Sequence, residues 1–383
     1  MEFLFGVFCP AMSVDQNTEA NLVAHISTSL NFGGVEKHME ILARSTRYSG
    51  CEHCFFAIGS GGLTATRIEA LSKRVTCLGQ STKIPNIMAV WTLFRVLSHM
   101  KPHVVHTHGA EANFHGLIAA WLAGVPIRIG EEVGIPSHSA KGRWVFRMVY
   151  RLAHRVIGIS EAVTGWLVDN DEVPADKAVR IYNPVDLTYS IKAIPGEVPG
   201  QFRLGFVGRL EPVKNPVVLL EAVAKLRSAS IPAEVWLVGD GSQREMLAAL
   251  AKQLQIEQYV SFLGYQENPA QYISQCDLYV QPSISEGFGL ALVEVMACEV
   301  PVLATAVGGA PEIIEHGRTG WLLEEPSMEE LVVMLKQAWK DRTQLAALGK
   351  AGRDAIITRF EPRIYMRELE TLYGSILKSV QER

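Results

Sequence analysis

Short, nearly continuous apolar runs recur along this chain, and longer amphipathic stretches separate them. In the first half the runs are 22–27, 54–58, 103–106, 127–130 and 156–159. In the second half they are 203–207, 234–238, 260–263, 278–281 and 300–304. Most are unbroken in Val, Ile, Leu and Phe instead of alternating with polar residues, which suits strands covered on both faces. Stretches such as 216–227, 244–253 and 329–339 place apolar residues three and four apart, the spacing of one helix face. Repeated strand-then-helix units predict parallel sheets with right-handed crossovers.

The repeats divide at 186–201, where Pro195, Gly196, Pro199 and Gly200 interrupt all periodicity. The expected layout is α/β: two doubly wound domains facing across a cleft, with ligands at the carboxyl ends of the strands. The expected boundaries are an extension at 1–20, a first domain at 21–187, a linker at 188–201, a second domain at 202–360, and a final helix at 361–383 that crosses back to the first. A length of 383 residues accommodates two such domains.

Composition removes several classes. Charged residues make up 20% and apolar residues 48%, against disorder. The net charge of −4 gives no general reason to bind nucleic acid. Six cysteines are too few for a disulfide scaffold and fit a cytoplasmic chain. No apolar run reaches the ~18–20 residues of a spanning helix. The first residues lack a basic n-region and a clear cleavage site, so no signal peptide is expected. The halves differ in their ionisable residues: ten of the eleven histidines lie before residue 160.

Several signatures fail. No Gly-x-Gly-x-x-Gly follows a strand, and Gly349-Lys350 continues into Ala351, so neither nucleotide-binding loop is present. Gly158-Ile159-Ser160-Glu161-Ala162 lacks the last glycine of a nucleophile elbow. Asp169-Asn170-Asp171 and the lone pair Cys51 and Cys54 read as solvated loop acids and core cysteines.

One stretch is more informative. After the apolar run 278–281 comes Pro282-Ser283-Ile284-Ser285-Glu286-Gly287-Phe288-Gly289-Leu290, leading into a helix that carries Glu294. Glycines let a ligand approach the backbone, and a helix start favours an anion. Eight residues at ~1.5 Å rise separate the two carboxylates by ~12 Å, beyond the ~5–9.5 Å of a hydrolytic pair. That offset suits two carboxylates gripping opposite ends of a sugar nucleotide. On spacing alone an ordinary helix start, with one acidic residue solvated and the other capped, is the better reading.

With its neighbours, this stretch resembles the retaining, two-domain glycosyltransferases of family four. The matches are Gly33-Gly34, His106-Thr107-His108, Asn183-Pro184-Val185-Asp186, Phe206-Val207-Gly208-Arg209-Leu210 with Lys214, Val238-Gly239-Asp240-Gly241, Glu286 with Glu294, and Gly308-Gly309 with Glu312. They occur in family order over roughly residues 22 to 360. The resemblance implies the GT-B fold of two Rossmann-like domains, with a UDP-sugar donor bound mainly by the second. It implies that Arg209 and Lys214 hold the diphosphate, where fixed cations stabilise the growing charge of the leaving group. Gly33 and Gly34 would close on the same phosphates, and Glu294 would take the ribose hydroxyls. Glu286 and the backbone at Gly287, Phe288, Gly289 and Leu290 would hold the transferred sugar, and Leu263 and Gly264 would line the base. His108 would approach the reacting sugar centre. No cofactor and no metal are expected.

On an extended strand end His106 and His108 share a face. Zinc is not expected at these histidines, because no acidic or Cys ligand accompanies them in sequence. Glu131-Glu132-Val133 and Asn183-Pro184 depart from the usual family residues, which leaves the acceptor side open. Arg143, Arg147, Arg151 and Arg155 recur every four residues beside Trp144 and Met148. This reads either as a basic helix resting on anionic lipid at the inner face of the plasma membrane, near a polyprenyl-linked glycan acceptor, or as an ordinary amphipathic helix. Two alternative functions stay open: a sugar-nucleotide epimerase or phosphorylase on the same fold, and a non-catalytic sugar-nucleotide-binding paralogue.

Overall fold

The computed structural model describes residues 21–31, 33–185 and 200–382. The expected extension at 1–20 and most of the expected linker lie outside the described residues. The first sheet contains β1 (Leu22–Ser27), β2 (Glu52–Ala57), β3 (Arg74–Cys77), β4 (Val104–His108), β5 (Ile127–Glu132), β6 (Arg155–Gly158) and β7 (Ala178–Arg180). Its helices are α1 (Gly34–Ser45), α2 (Leu63–Ala70), α3 (Ile87–Met100), α4 (Ala110–Leu122), α5 (Ala140–Tyr150) and α6 (Glu161–Asp169).

The second sheet holds β8 (Phe202–Val207), β9 (Ala233–Val238), β10 (Val260–Gly264), β11 (Leu278–Gln281), β12 (Val302–Thr305) and β13 (Trp321–Leu323). Around it lie α7 (Pro216–Ser228), α8 (Arg244–Gln253), α9 (Ala270–Ile273), α10 (Leu290–Ala297) and α11 (Ala310–Ile313). Next come α12 (Met328–Lys340), α13 (Arg342–Arg359) and α14 (Pro362–Gln381).

The strand orders are β3-β2-β1-β4-β5-β6-β7 and β10-β9-β8-β11-β12-β13. Every pairing between these strands is parallel. Each order reverses once, between β1 and β4 and between β8 and β11. Crossovers leave in opposite directions there and open a crevice at the strand ends.

Three strands escaped the sequence reading: β3, β7 and β13. All lie at sheet edges: β3 and β7 mix polar with apolar residues, and β13 is apolar but only three residues long. β4 and β5 also run two residues past their expected ends, into His108 and Glu132. Their last residues are polar yet buried, which a search for apolar runs cannot see.

Strand period sorts the first core. Val23, Phe55, Val104 and Ile129 pack with α1 and α14, while Ala24, Phe56 and Val105 pack with α3 and α4. α14 follows the second sheet in sequence but buries Tyr365, Met366, Leu369, Tyr373 and Ile376 in the core of the first. Its Glu370 carboxylate accepts hydrogen bonds from Ser49 Oγ (2.6 Å) and Gly50 N (2.9 Å). A separate apolar cluster joins the two sheets' helices, with Tyr182 and Phe360 flanking Phe288.

Leu369→Ala removes a fully buried side chain from this seam. It should lower unfolding stability by about 2–5 kcal/mol in urea titrations. An unchanged midpoint would show that α14 adds nothing to the first domain's core.

Candidate functional site

The crevice between β8 and β11 is built from main chain pressed against main chain. A Cβ on Gly239 would overlap the carbonyl of Gly208, and one on Gly308 would overlap that of Glu286. Gly308 also sits at φ +55, where a side chain is strained. These contacts let the loops after β8, β9, β11 and β12 converge. Ile284 N then donates to Val213 O (2.8 Å), tying the loop after β11 to the turn Pro212–Lys214.

The result is a charged pair at the crevice. Lys214 Nζ stands 2.5 Å from Glu286 Oε2, with both side chains mostly buried. Gln281 Nε2 donates to the same carboxylate oxygen at 3.0 Å. Behind it, the Tyr279 hydroxyl lies 3.0 Å from Gln281 Oε1 and 3.2 Å from Val207 O. Burial, with Glu286 nearby, pushes the Tyr279 phenol up, so it stays a donor. Gln281 and Tyr279 were absent from the sequence reading. The only signal was a polar residue closing an apolar strand.

Arg209 follows Gly208 at the end of β8 and is exposed. Glu294 lies within α10, half-buried. α10 starts from Gly289 at φ +105 without a side-chain cap, and Leu290 is its first residue. The Phe288 side chain is buried between Tyr182 and Phe360, so only its backbone can serve a ligand. Leu263 and Gly264 end β10, where Gly264 O accepts from Gly239 N (2.8 Å). Gly33 caps α1 and Gly34 opens it, but the Glu36 carboxylate folds back against Gly33 and accepts from Ser29 Oγ. A carboxylate thus stands at the position expected for phosphate.

Contacts cross between the domains beside this crevice. Ser160 Oγ donates to Gly287 O (2.7 Å), and a Cβ on Gly287 would lie 2.8 Å from Gly134 Cα. Glu312 of the second domain accepts from the N–H groups of Glu161 (2.8 Å) and Ala162 (3.0 Å), capping α6 of the first.

Comparison with known proteins gives the family and the fold. The model of glycosyl transferases group 1 matches residues 190–355, and that of glycosyltransferase family 4 matches residues 32–189. The chain belongs to this family. It is 34% identical over 199 residues to N-acetyl-alpha-D-glucosaminyl L-malate synthase of Bacillus anthracis, covering 52% of each chain. A second relative is N-acetylgalactosamine-N,N'-diacetylbacillosaminyl-diphospho-undecaprenol 4-alpha-N-acetylgalactosaminyltransferase of Campylobacter jejuni. It is 30% identical over 235 residues, 57% of this chain and 63% of that protein. The matched stretch is thus less than two thirds of either relative. Among solved structures, HepE of Anabaena in complex with UDP-glucose superposes with a TM-score of 0.79 at 22% identity, over 92% of this chain and 99% of that one. That likeness establishes the GT-B fold.

In this family member His108 is not at the cleft surface. It is fully buried, with Nε2 3.1 Å from His25 Nδ1 and Nδ1 3.2 Å from Glu131 Oε2. His106 and His108 do share a face, and their ring centroids are 4.1 Å apart. The expectation that no acid accompanies them is overturned. β4 and β5 pair His108 with Glu131, whose oxygens also lie 3.0 Å from His106 Nε2 and 3.4 Å from His38 Nε2. Register between strands 23 residues apart in sequence is invisible to local spacing. Burial holds His108 down at about 3 and His53 at about 4, and it also lowers His25, so these rings are neutral.

The basic helix is α5. Arg143 Nη1 donates to Asn170 Oδ1 (2.7 Å), and Arg147 Nε donates to Asp171 O (2.6 Å) while pairing with Asp171 at 3.3 Å. Two arginines of the stripe are therefore engaged with the turn after α6, and Arg151 Nη1 rests on Met148 Sδ. Trp144 is 63% exposed beside them. Among the described residues no helix is long and apolar enough to cross a membrane.

At the start of α5, His138 stacks on Phe146 and pairs with buried Glu172 at 2.9 Å. Burial lowers the His138 pKa, but Glu172 overrides it and the net shift is upward. The stabilisation is complete below the unfolded value of ~6.5 and is lost as pH rises through the higher folded value. His138→Asn should be about 1–2 kcal/mol less stable than the parent at pH 6, with a smaller gap at pH 9. Equal gaps in urea titrations at both values would show His138 uncharged throughout.

Proposed function

We propose that this chain is a retaining glycosyltransferase that moves a hexose or N-acetylhexosamine from a UDP-sugar to a glycan acceptor. The observation that carries the reading is the Lys214–Glu286 pair, braced by Gln281 at the switch point of the second sheet. A sugar nucleotide would part that pair. Lys214 and Arg209 take the diphosphate, and Glu286 is left to accept hydrogen bonds from sugar hydroxyls. The start of α10 supplies N–H groups at Gly289 and Leu290, and Glu294 takes the ribose. Leu263 and Gly264 flank the base. Gly33 and Gly34 close on the phosphates from the first domain once Glu36 turns away.

Catalysis on this reading is positioning and charge stabilisation. The two cations lower the energy of the departing diphosphate, and domain contact around Gly287 excludes water. The acceptor attacks from the leaving-group face as the diphosphate takes its proton, so no side chain need be a nucleophile and no metal need sit at the diphosphate. UDP as donor nucleotide is favoured by the UDP-glucose complex of the Anabaena neighbour. A polyprenyl-linked acceptor, met at the inner membrane face, is favoured by the Campylobacter relative's diphospho-undecaprenol substrate and by exposed Trp144 on α5.

Lys214→Ala should cut UDP release with donor and acceptor by ~10²–10³-fold. The unliganded melting temperature should stay within about 2 °C, because only a partly exposed pair is lost. UDP-sugars should raise the parent's melting temperature and fail to raise that of the variant. Undiminished turnover in Lys214→Ala would overturn the assignment.

A further inference from the structure

The histidines of the first domain form a chain of contacts whose proton directions can be worked out. Ser49 Oγ lies 2.6 Å from the Glu370 carboxylate, which can only accept, so Ser49 donates there. Its single proton is then committed. His53 Nε2, 2.8 Å from Ser49 Oγ, must therefore be a donor. A neutral imidazole carries one donor and one acceptor, so His53 Nδ1 accepts from His25 Nε2 at 2.9 Å. His25 Nδ1 accepts in turn from His108 Nε2 at 3.1 Å. His108 Nδ1 is left as a lone pair, 3.2 Å from the Glu131 carboxylate.

A lone pair facing a buried carboxylate is repulsive unless a cation lies between them. The same gap recurs around Glu131. His106 Nε2 and His38 Nε2 stand 3.0 and 3.4 Å from its oxygens. Yet neither Glu131 oxygen, nor His106 Nε2, nor His108 Nδ1 makes an aligned hydrogen bond. All four side chains are buried, at 0–2% exposure.

We propose that His38, His108 and Glu131, with His106 as fourth donor, form a buried binding site for a divalent metal of the zinc class. Ligand atoms of His38, His108 and Glu131 lie within 4.8 Å of one another. Bonds of ~2.0–2.1 Å in a tetrahedron set its edges at about 3.3–3.4 Å, close to the 3.4 and 3.2 Å that separate Glu131 oxygens from His38 Nε2 and His108 Nδ1. Imidazole nitrogens and one carboxylate are the donor set that zinc accepts. Ligating histidines donate their other N–H to a partner, and two of the three do so here, while His38 Nδ1 has none. His108 Nε2 has His25, and His106 Nδ1 lies 2.8 Å from the Tyr373 hydroxyl. The metal is structural: it joins α1, β4 and β5 beneath α14, four residues after the Gly33-Gly34 loop. Its ligands all belong to the first domain, whereas Lys214 and Glu286 belong to the second, and it does not depend on the proposed transfer reaction.

The test is metal analysis of the full chain, purified without a histidine tag and then refolded with Co²⁺. About one equivalent of divalent metal per chain is expected, with the visible absorption of tetrahedral cobalt. His108→Asn and Glu131→Gln should lose both signals, while His53→Gln, beyond the ligand set, keeps them. A parent protein that folds, carries under about 0.1 equivalent and takes up no Zn²⁺ or Co²⁺ on refolding would overturn the site. In that case nitrogen NMR should find an imidazolium beside Glu131. Because the parent protein alone decides the outcome, a variant that fails to fold leaves the result intact.

Discussion

The close approach of main chain to main chain at the carboxyl ends of the second sheet is the constraint on which the crevice depends. Gly239 against Gly208, and Gly308 against Glu286, leave no room for a Cβ. With side chains there, the loops after β9 and β12 would press against the loops after β8 and β11 that carry Lys214 and Glu286. The convergence of charge follows from packing, and packing follows from residues that have no side chain. It also explains why the crevice lies where the strand order reverses: only there do adjacent loops leave in opposite directions and expose their ends.

The two domains manage buried charge differently. In the second, a cation and an anion compensate each other at a solvent-facing edge and can be parted by a ligand carrying the same two features, a diphosphate and a set of hydroxyls. In the first, a carboxylate and neutral imidazoles are enclosed by β4, β5, α1 and α14. An enclosed carboxylate without aligned donors is costly, so compensation must come from inside the cluster. α14 contributes to that enclosure through Tyr365 and Tyr373, which makes the last helix part of the first domain's polar interior as well as its apolar core.

The bridge between domains is similarly economical. Glu312 follows the Gly308-Gly309 pair and caps α6 across the boundary, while Ser160 meets Gly287. Residues that shape the crevice in one domain therefore also bind the other domain beside it, so crevice geometry and domain contact are coupled through the same few loops.

Much of this was legible in the residues. Apolar runs marked the interior strands because strands covered on both faces must be apolar throughout. Glycine-rich turns with Arg209, Lys214 and Glu286 marked the crevice because their order along the chain is distinctive. Edge strands β3 and β7 were not legible, since half-exposed strands tolerate polar residues, and β13 was not because its apolar run is only three residues long. Nor was Glu131 as the partner of His106 and His108, because strand register joins residues that local spacing keeps apart. The sequence by itself determined the layering and the set of charged residues at the strand ends. Only the tertiary structure decided that Lys214 meets Glu286, that His108 turns inward, and that α14 closes over the histidines, because each depends on distances between segments far apart in the chain.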